Sequence, residues 1–156
     1  MLSFQTILHP TDFSECSNYA FHVACSLARA HGTRVILVHV TSDLVVLVPF
    51  VTLPPDPSDI REQLQKQLSD LQSSEPDVRI DRHLREGDPG TEILRLAQEI
   101  KCDLIVMGTH GRTGLGRLLV GSVAEQVLRK APCPVLTVKT PLPKVRDQEM
   151  LPGIDS

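Results

Sequence analysis

Gly108-Thr-His-Gly111 and, nine residues on, Gly121-Ser122 put small, permissive residues where a chain could wrap a phosphate group. Glycine takes positive φ and lets a ligand approach the backbone, and Gly108, Gly111, Gly114 and Gly116 make the segment rich in it. Ser122 and Glu125 then have the spacing of a capping box, so a helix is expected to open there, with free N–H groups and the positive end of its dipole available to an anion. Either feature alone is ordinary loop or helix-end structure. Their chemical meaning comes from the run before them. Asp103-Leu-Ile-Val-Met-Gly108 is continuously apolar, as a strand covered on both faces of a parallel sheet must be, and in such sheets ligands sit beyond the carboxyl ends of the strands.

Asp12 is a second candidate on the same ground. It follows an apolar strand and could bind ribose hydroxyls or a phosphate-bound Mg²⁺, or simply cap the next helix as a pair with Glu15. Arg112 and Arg117 can reach phosphates or lie in solvent, and His110 has the chemistry to accept a phosphoryl group. The sequence has no G-x-x-x-x-G-K-[S/T] loop, no G-x-S-x-G elbow and no H-E-x-x-H pair, so binding with at most slow hydrolysis is expected rather than enzymatic turnover. Cys16, Cys25, Cys102 and Cys133 form no C-x-x-C pair, and Cys16 and Cys25 fall on opposite faces of a helix, so buried or half-buried free thiols are expected. The six histidines lack the i, i+3 or i+4 spacing of a metal pair.

The elements that must position these residues alternate. Phe4–His9 reads as a first strand. A helix follows with Ala20, Val23, Ala24, Leu27 and Ala28 on one face, and Gly32 ends it. Arg34–Val40 is a second strand, and Ile60, Leu64, Leu68 and Leu71 mark the inner stripe of a second helix. A third strand lies near Val78–Leu84. Asp88-Pro89 is an N-cap with proline at the first helical position, and Ile93, Leu94, Ala97 and Ile100 give the third helix its buried face. After the glycine segment a fourth helix runs to Arg129-Lys130, and Pro134–Val138 is a last strand. Five strands and four helices predict a single α/β domain, a Rossmann-like parallel sheet in the order 3-2-1-4-5, over residues 1–140. The order reverses between the first and fourth strands, which brings Pro10, Thr11, Asp12 and Val40 beside the glycine segment.

Composition narrows the function. A net charge of −3, five aromatic residues and no tryptophan argue against a nucleic-acid surface. The absence of a leader pattern or a long apolar run argues for a cytoplasmic protein without membrane contact. Leu44–Val51 is apolar throughout and must be covered, by the same chain or by a partner. The last strand would lie at a sheet edge, a liability that a second copy would remove. The tail, Pro141–Ser156, has the composition of a disordered segment.

The motif G-x₂-G-x₉-G-[S/T], formed by Gly108, Gly111, Gly121 and Ser122, resembles the nucleotide motif of the universal stress protein family, and Pro10-Thr-Asp-Phe-Ser14 and Ala131-Pro-Cys-Pro-Val135 resemble its other blocks. The resemblance covers residues 2–139. It implies the adenine nucleotide alpha hydrolase-like fold and an ATP-binding regulatory or signalling module in stress response. Adenine would lie near Val40 and Asp12, ribose near Asp12 and Gly108, and phosphates on Gly111, Gly121, Ser122 and Val123. Thr11, Met107 and His110 match positions that line the pocket, with Pro10 beside them. Mg²⁺ would enter through the phosphates, with Asp12 as a further ligand. It also implies a homodimer through Val135–Val138, acting through unidentified protein partners. Two rival readings stand beside it: a dimeric scaffold without nucleotide, and a slow ATPase or a phosphoryl- or adenylyl-transferring enzyme.

Overall fold

The computed structural model describes residues 4–42, 56–110 and 120–140. Gly111 with the rest of the glycine segment, the apolar Leu44–Val51 and the tail from Pro141 lie outside them. The elements are β1 (Thr6–Pro10), α1 (Glu15–His31), β2 (Arg34–Thr41), α2 (Pro57–Asp70), β3 (Ile80–Glu86), α3 (Pro89–Glu99), β4 (Leu104–Gly108), α4 (Ser122–Lys130) and β5 (Val135–Val138). All strand pairs are parallel and the order is β3-β2-β1-β4-β5, as the alternation predicts.

Strand period places the two helical layers. Successive side chains point to opposite faces, so Ile7, Val35, Leu37 and Val106 pack with Ala20, Phe21, Ala24 and Ala28 of α1 and Leu68 of α2. Their neighbours Leu8, Ile36, Val38, Ile105 and Met107 pack with Ile93, Leu96 and Ala97 of α3 and Val127 of α4 on the other face. These strands carry apolar residues at consecutive positions because both sheet faces are covered.

Several boundaries differ from expectation. β1 begins at Thr6 rather than Phe4, because Asp103 Oδ2 accepts from the N–H groups of Gln5 and Thr6 at 2.8 and 2.9 Å, and it continues through Pro10. β3 starts two residues later than expected. In α3 the buried residues are Gly90, Glu92, Ile93, Leu96 and Ala97, while Leu94 and Ile100 of the expected face are only half-buried. In α2, Leu68 is buried but Ile60 is exposed. Cys16 and Cys25, on opposite sides of α1, are both buried, since that helix is covered over half its circumference. All four cysteines are free thiols, three of them buried.

The caps also correct the sequence reading. The N-cap of α1 is Ser14, which accepts from the Ser17 N–H, while Asp12 Oδ1 accepts from the Ser14 N–H at 3.0 Å in a tight turn; Asp12 and Glu15 do not pair as a cap. Ser122 and Glu125 do not form a capping box either. Gly121 is the N-cap without a side-chain hydrogen bond, Ser122 is the first helical residue, and Glu125 turns along the helix to Arg129 at 2.7 Å. Asp88 caps α3 as expected, and Asp56-Pro57 repeats the same device at α2. Gly32 ends α1 at φ 64°, the left-handed conformation that favours glycine.

His9 is wholly buried in the centre of the sheet. Its Nδ1–H donates to the Val106 carbonyl at 2.7 Å, its Nε2 has no hydrogen-bond partner, and burial pulls its pKa from 6.5 down to about 4.

Candidate functional site

The carboxyl ends of β1, β2 and β4 meet the N-termini of α3 and α4 in a cleft of about 230 Å³. It lies at the point where the strand order reverses, between β1 and β4. Ten of the eleven residues singled out from the sequence line it: Pro10, Thr11, Asp12, Val40, Met107, Gly108, His110, Gly121, Ser122 and Val123. The eleventh, Gly111, is outside the described residues.

The sequence reading did not single out Ser17, Val38, His39, Pro89, Ile93, Thr109 and Ala124, which also line the cleft. Two of these had a readable signal. Pro89 opens a helix that follows a strand of the same sheet, so its N-terminus faces the same crevice, and His39 directly precedes Val40. Ser17 is one turn into α1, and only the packing of that helix brings it round.

The cleft floor is built from short local hydrogen bonds. Thr11 Oγ1 accepts from the Phe13 N–H at 3.1 Å and from Ser17 Oγ at 2.9 Å, which fixes the turn out of β1. Phe13 at its crest has φ 62°, a left-handed conformation costly for a bulky residue. Its ring centroid lies 4.6 Å from that of His39, whose Nδ1–H donates to the Thr11 carbonyl at 2.8 Å. The β1 and β2 ends are thus joined across the cleft wall.

The base of the glycine segment is tied on both sides. The Thr109 N–H donates to the Val138 carbonyl at 3.0 Å and the Gly121 N–H to the Thr109 carbonyl at 2.8 Å, so the segment leaves and re-enters the fold at one fixed place. Thr109 Oγ1 and His110 Nδ1 are hydrogen-bonded at 2.8 Å, and His110 Nε2 is buried without a partner. Gly108 has a packing reason beside its place in the motif. A Cβ there would lie 2.9 Å from Cys16 Sγ and 3.3 Å from the Cys16 backbone, so only glycine lets β4 reach α1.

The chemistry of the lining is divided. Val38, Val40, Ile93 and Met107 offer an apolar wall suited to a flat ring system. Thr11, Asp12 and Ser122 bring side-chain oxygens to the lining, and the N-terminus of α4 has no side chain of its own cap bonded to its N–H groups. That combination fits a ligand with an aromatic base, a polar middle and an anionic end. Among the described residues no cluster of three or more His, Cys, Asp or Glu could hold a metal ion. No helix there is long and apolar enough to cross a membrane.

Fold and cleft together define a doubly wound α/β protein with a ligand crevice at its topological switch point. The chain belongs to the universal stress protein family, whose profile matches residues 3–139. It is 40% identical over 146 residues to universal stress protein MJ0531 of Methanocaldococcus jannaschii, an alignment covering 88% of this chain and 84% of that one. The solved structure of the protein MJ0577 superposes with a TM-score of 0.69 at 28% identity, over 90% of this chain and 99% of that one. A universal stress protein in complex with cAMP matches at a TM-score of 0.67 and 25% identity, over 90% of this chain and all of that one (100%). Another, from Archaeoglobus fulgidus and in complex with dAMP, matches at 0.60 and 25%, over 89% and 100%.

Proposed function

We propose that this universal stress protein binds ATP in the cleft and acts as a nucleotide-dependent regulatory module of the cytosol, without being an enzyme in its own right. The observation that carries the reading is the convergence of Pro10–Asp12, Val40, Met107–His110 and Gly121–Val123, about a hundred residues apart in sequence, on one crevice with an apolar wall and a helix N-terminus. The cAMP and dAMP complexes of relatives support an adenine nucleotide as the class of ligand. Adenine would lie on the apolar wall by Val40, ribose by Asp12, and phosphates at Gly121, Ser122 and Val123, with Gly111 contributing from the glycine segment. Mg²⁺ would arrive on the phosphates, and Asp12, the carboxylate among the described lining residues, would share it.

A second copy would pair along β5, an edge strand on which Leu136 is exposed, and regulation would pass to protein partners through that dimer. Calorimetric titration of ATP, with and without Mg²⁺ and against GTP, tests the reading. It requires saturable one-to-one binding per chain with adenine preferred. Absence of ATP binding by nucleotide-free protein would leave a scaffold, and phosphate release that disappears in His110→Ala with binding intact would make the protein an enzyme.

A further inference from the structure

We infer that Cys102 and Cys133 form an oxidisable dithiol, a site at which peroxide converts the pair into an intramolecular disulfide. They are 31 positions apart in sequence, yet their Sγ atoms lie 3.5 Å from each other. The sheet produces this contact. Cys102 stands just before β4 and Cys133 just before β5, and the two strands run side by side with Ile105 opposite Val135. Both thiols therefore sit at the end of the sheet away from the cleft. A disulfide needs the sulfurs to close to about 2.05 Å, a movement of about 1.5 Å that side-chain rotation can supply.

Exposure assigns the roles. Cys102 is 6% exposed, whereas Cys133 is half-buried in the bend between α4 and β5. Burial pushes both thiols above their ordinary range, Cys102 strongly, so Cys133 is the sulfur that meets the oxidant and the reaction is slow. The Cys133 thiolate attacks one oxygen of hydrogen peroxide, the O–O bond breaks, and the departing hydroxide takes a proton to leave as water. Cys102 then attacks the sulfenic sulfur of Cys133 and displaces its oxygen as a second water. Two thiols are oxidised by two electrons and one peroxide is reduced to two waters. The bond closes a loop containing β4, the glycine segment and α4, which should raise Tm by about 7–15 °C.

The test uses the full chain, reduced, freed of reductant, treated with hydrogen peroxide and then alkylated. Trypsin cuts after Lys101, Arg112, Lys130 and Lys139, so residues 102–112 and 131–139 each carry one of the two cysteines and no other. The inference requires these peptides to be linked, the link to vanish with dithiothreitol, and the intact chain, weighed before alkylation, to be lighter than the reduced chain by two hydrogen atoms. The rise in Tm should be absent in Cys133→Ala. The competitor is Cys16, where hydrogen bonds from Thr140, His110 and Thr109 more than offset burial and leave the thiol below its usual range. Oxidation confined to Cys16, a link between chains, or Cys133 oxidised to a sulfinic acid with Cys102 still alkylated would each overturn the inference. The peptide map of the unsubstituted chain decides the matter even if a variant fails to fold.

Discussion

Burial of His9 makes stability depend on pH in a way that one substitution isolates. The ring is 0% exposed, Nδ1 donates to the Val106 carbonyl and Nε2 makes no hydrogen bond, and the loss of hydration outweighs what Asp12 and the Val106 and Ser17 backbone offer a proton. Burial lowers the pKa from 6.5 to about 4. The unfolded chain takes up the proton below about pH 6.5, while the folded chain does so only below about 4, and stability rises with pH wherever the unfolded state binds more protons. Across that window the imidazole costs about 1.4 kcal/mol per pH unit as pH falls, about 3 kcal/mol in all. In His9→Asn the amide can still donate to the Val106 carbonyl and nothing titrates at the site. Urea unfolding followed by circular dichroism at about pH 7.5 and about pH 4.5, in both proteins, cancels the other titrating groups in the difference. The substituted chain starts less stable because of the cavity it creates, but it should lose about 2–3 kcal/mol less on acidification. Parallel losses in the two proteins would refute the assignment of a buried neutral ring.

Two further substitutions test the local structure. Gly108→Ala should cost about 1–3 kcal/mol, because its methyl group would meet Cys16 Sγ at 2.9 Å and backbone just behind it, and Cys16→Ala in the same chain should recover part of that loss in urea unfolding. Ser14→Ala removes the N-cap of α1 and should cost about 1 kcal/mol, whereas Glu125→Ala removes only an exposed pair with Arg129 and should cost about 0.5 kcal/mol or less; equal effects would restore the capping-box reading of Ser122.

Strand and helix order was legible because both faces of the sheet are covered, so the strands are apolar at consecutive positions and the helices carry one apolar stripe each. Asp88-Pro89 and Gly32 gave helix ends directly, since proline at the first helical position and glycine in the left-handed region act through backbone conformation alone. The capping pairs did not, because a spacing shows which bonds are sterically open and not which are made. Ser14 lies one residue from Glu15 and outcompeted Asp12, and Glu125 found Arg129 one turn along. The cleft residues were largely visible because the reversal of strand order follows from the connection rules. The contact of Gly108 with Cys16, and of Cys102 with Cys133, was not, since each depends on the register and approach of neighbouring elements.

Thermal unfolding with and without Mg-ATP, in the native chain and in Gly121→Asp, tests the account most directly. Gly121 has φ −61° and ψ 155°, an extended conformation open to any residue, and aspartate is a favoured N-cap, so the substituted chain should be as stable as the native one, or a few tenths of a kcal/mol more so. The same carboxylate would occupy the helix N-terminus where phosphates are proposed to lie. At about a hundred times its dissociation constant the nucleotide should stabilise the native chain by about 2.7 kcal/mol, or about 5–10 °C, and leave Gly121→Asp unmoved. An equal shift in both chains, or none in nucleotide-free native protein, would contradict it.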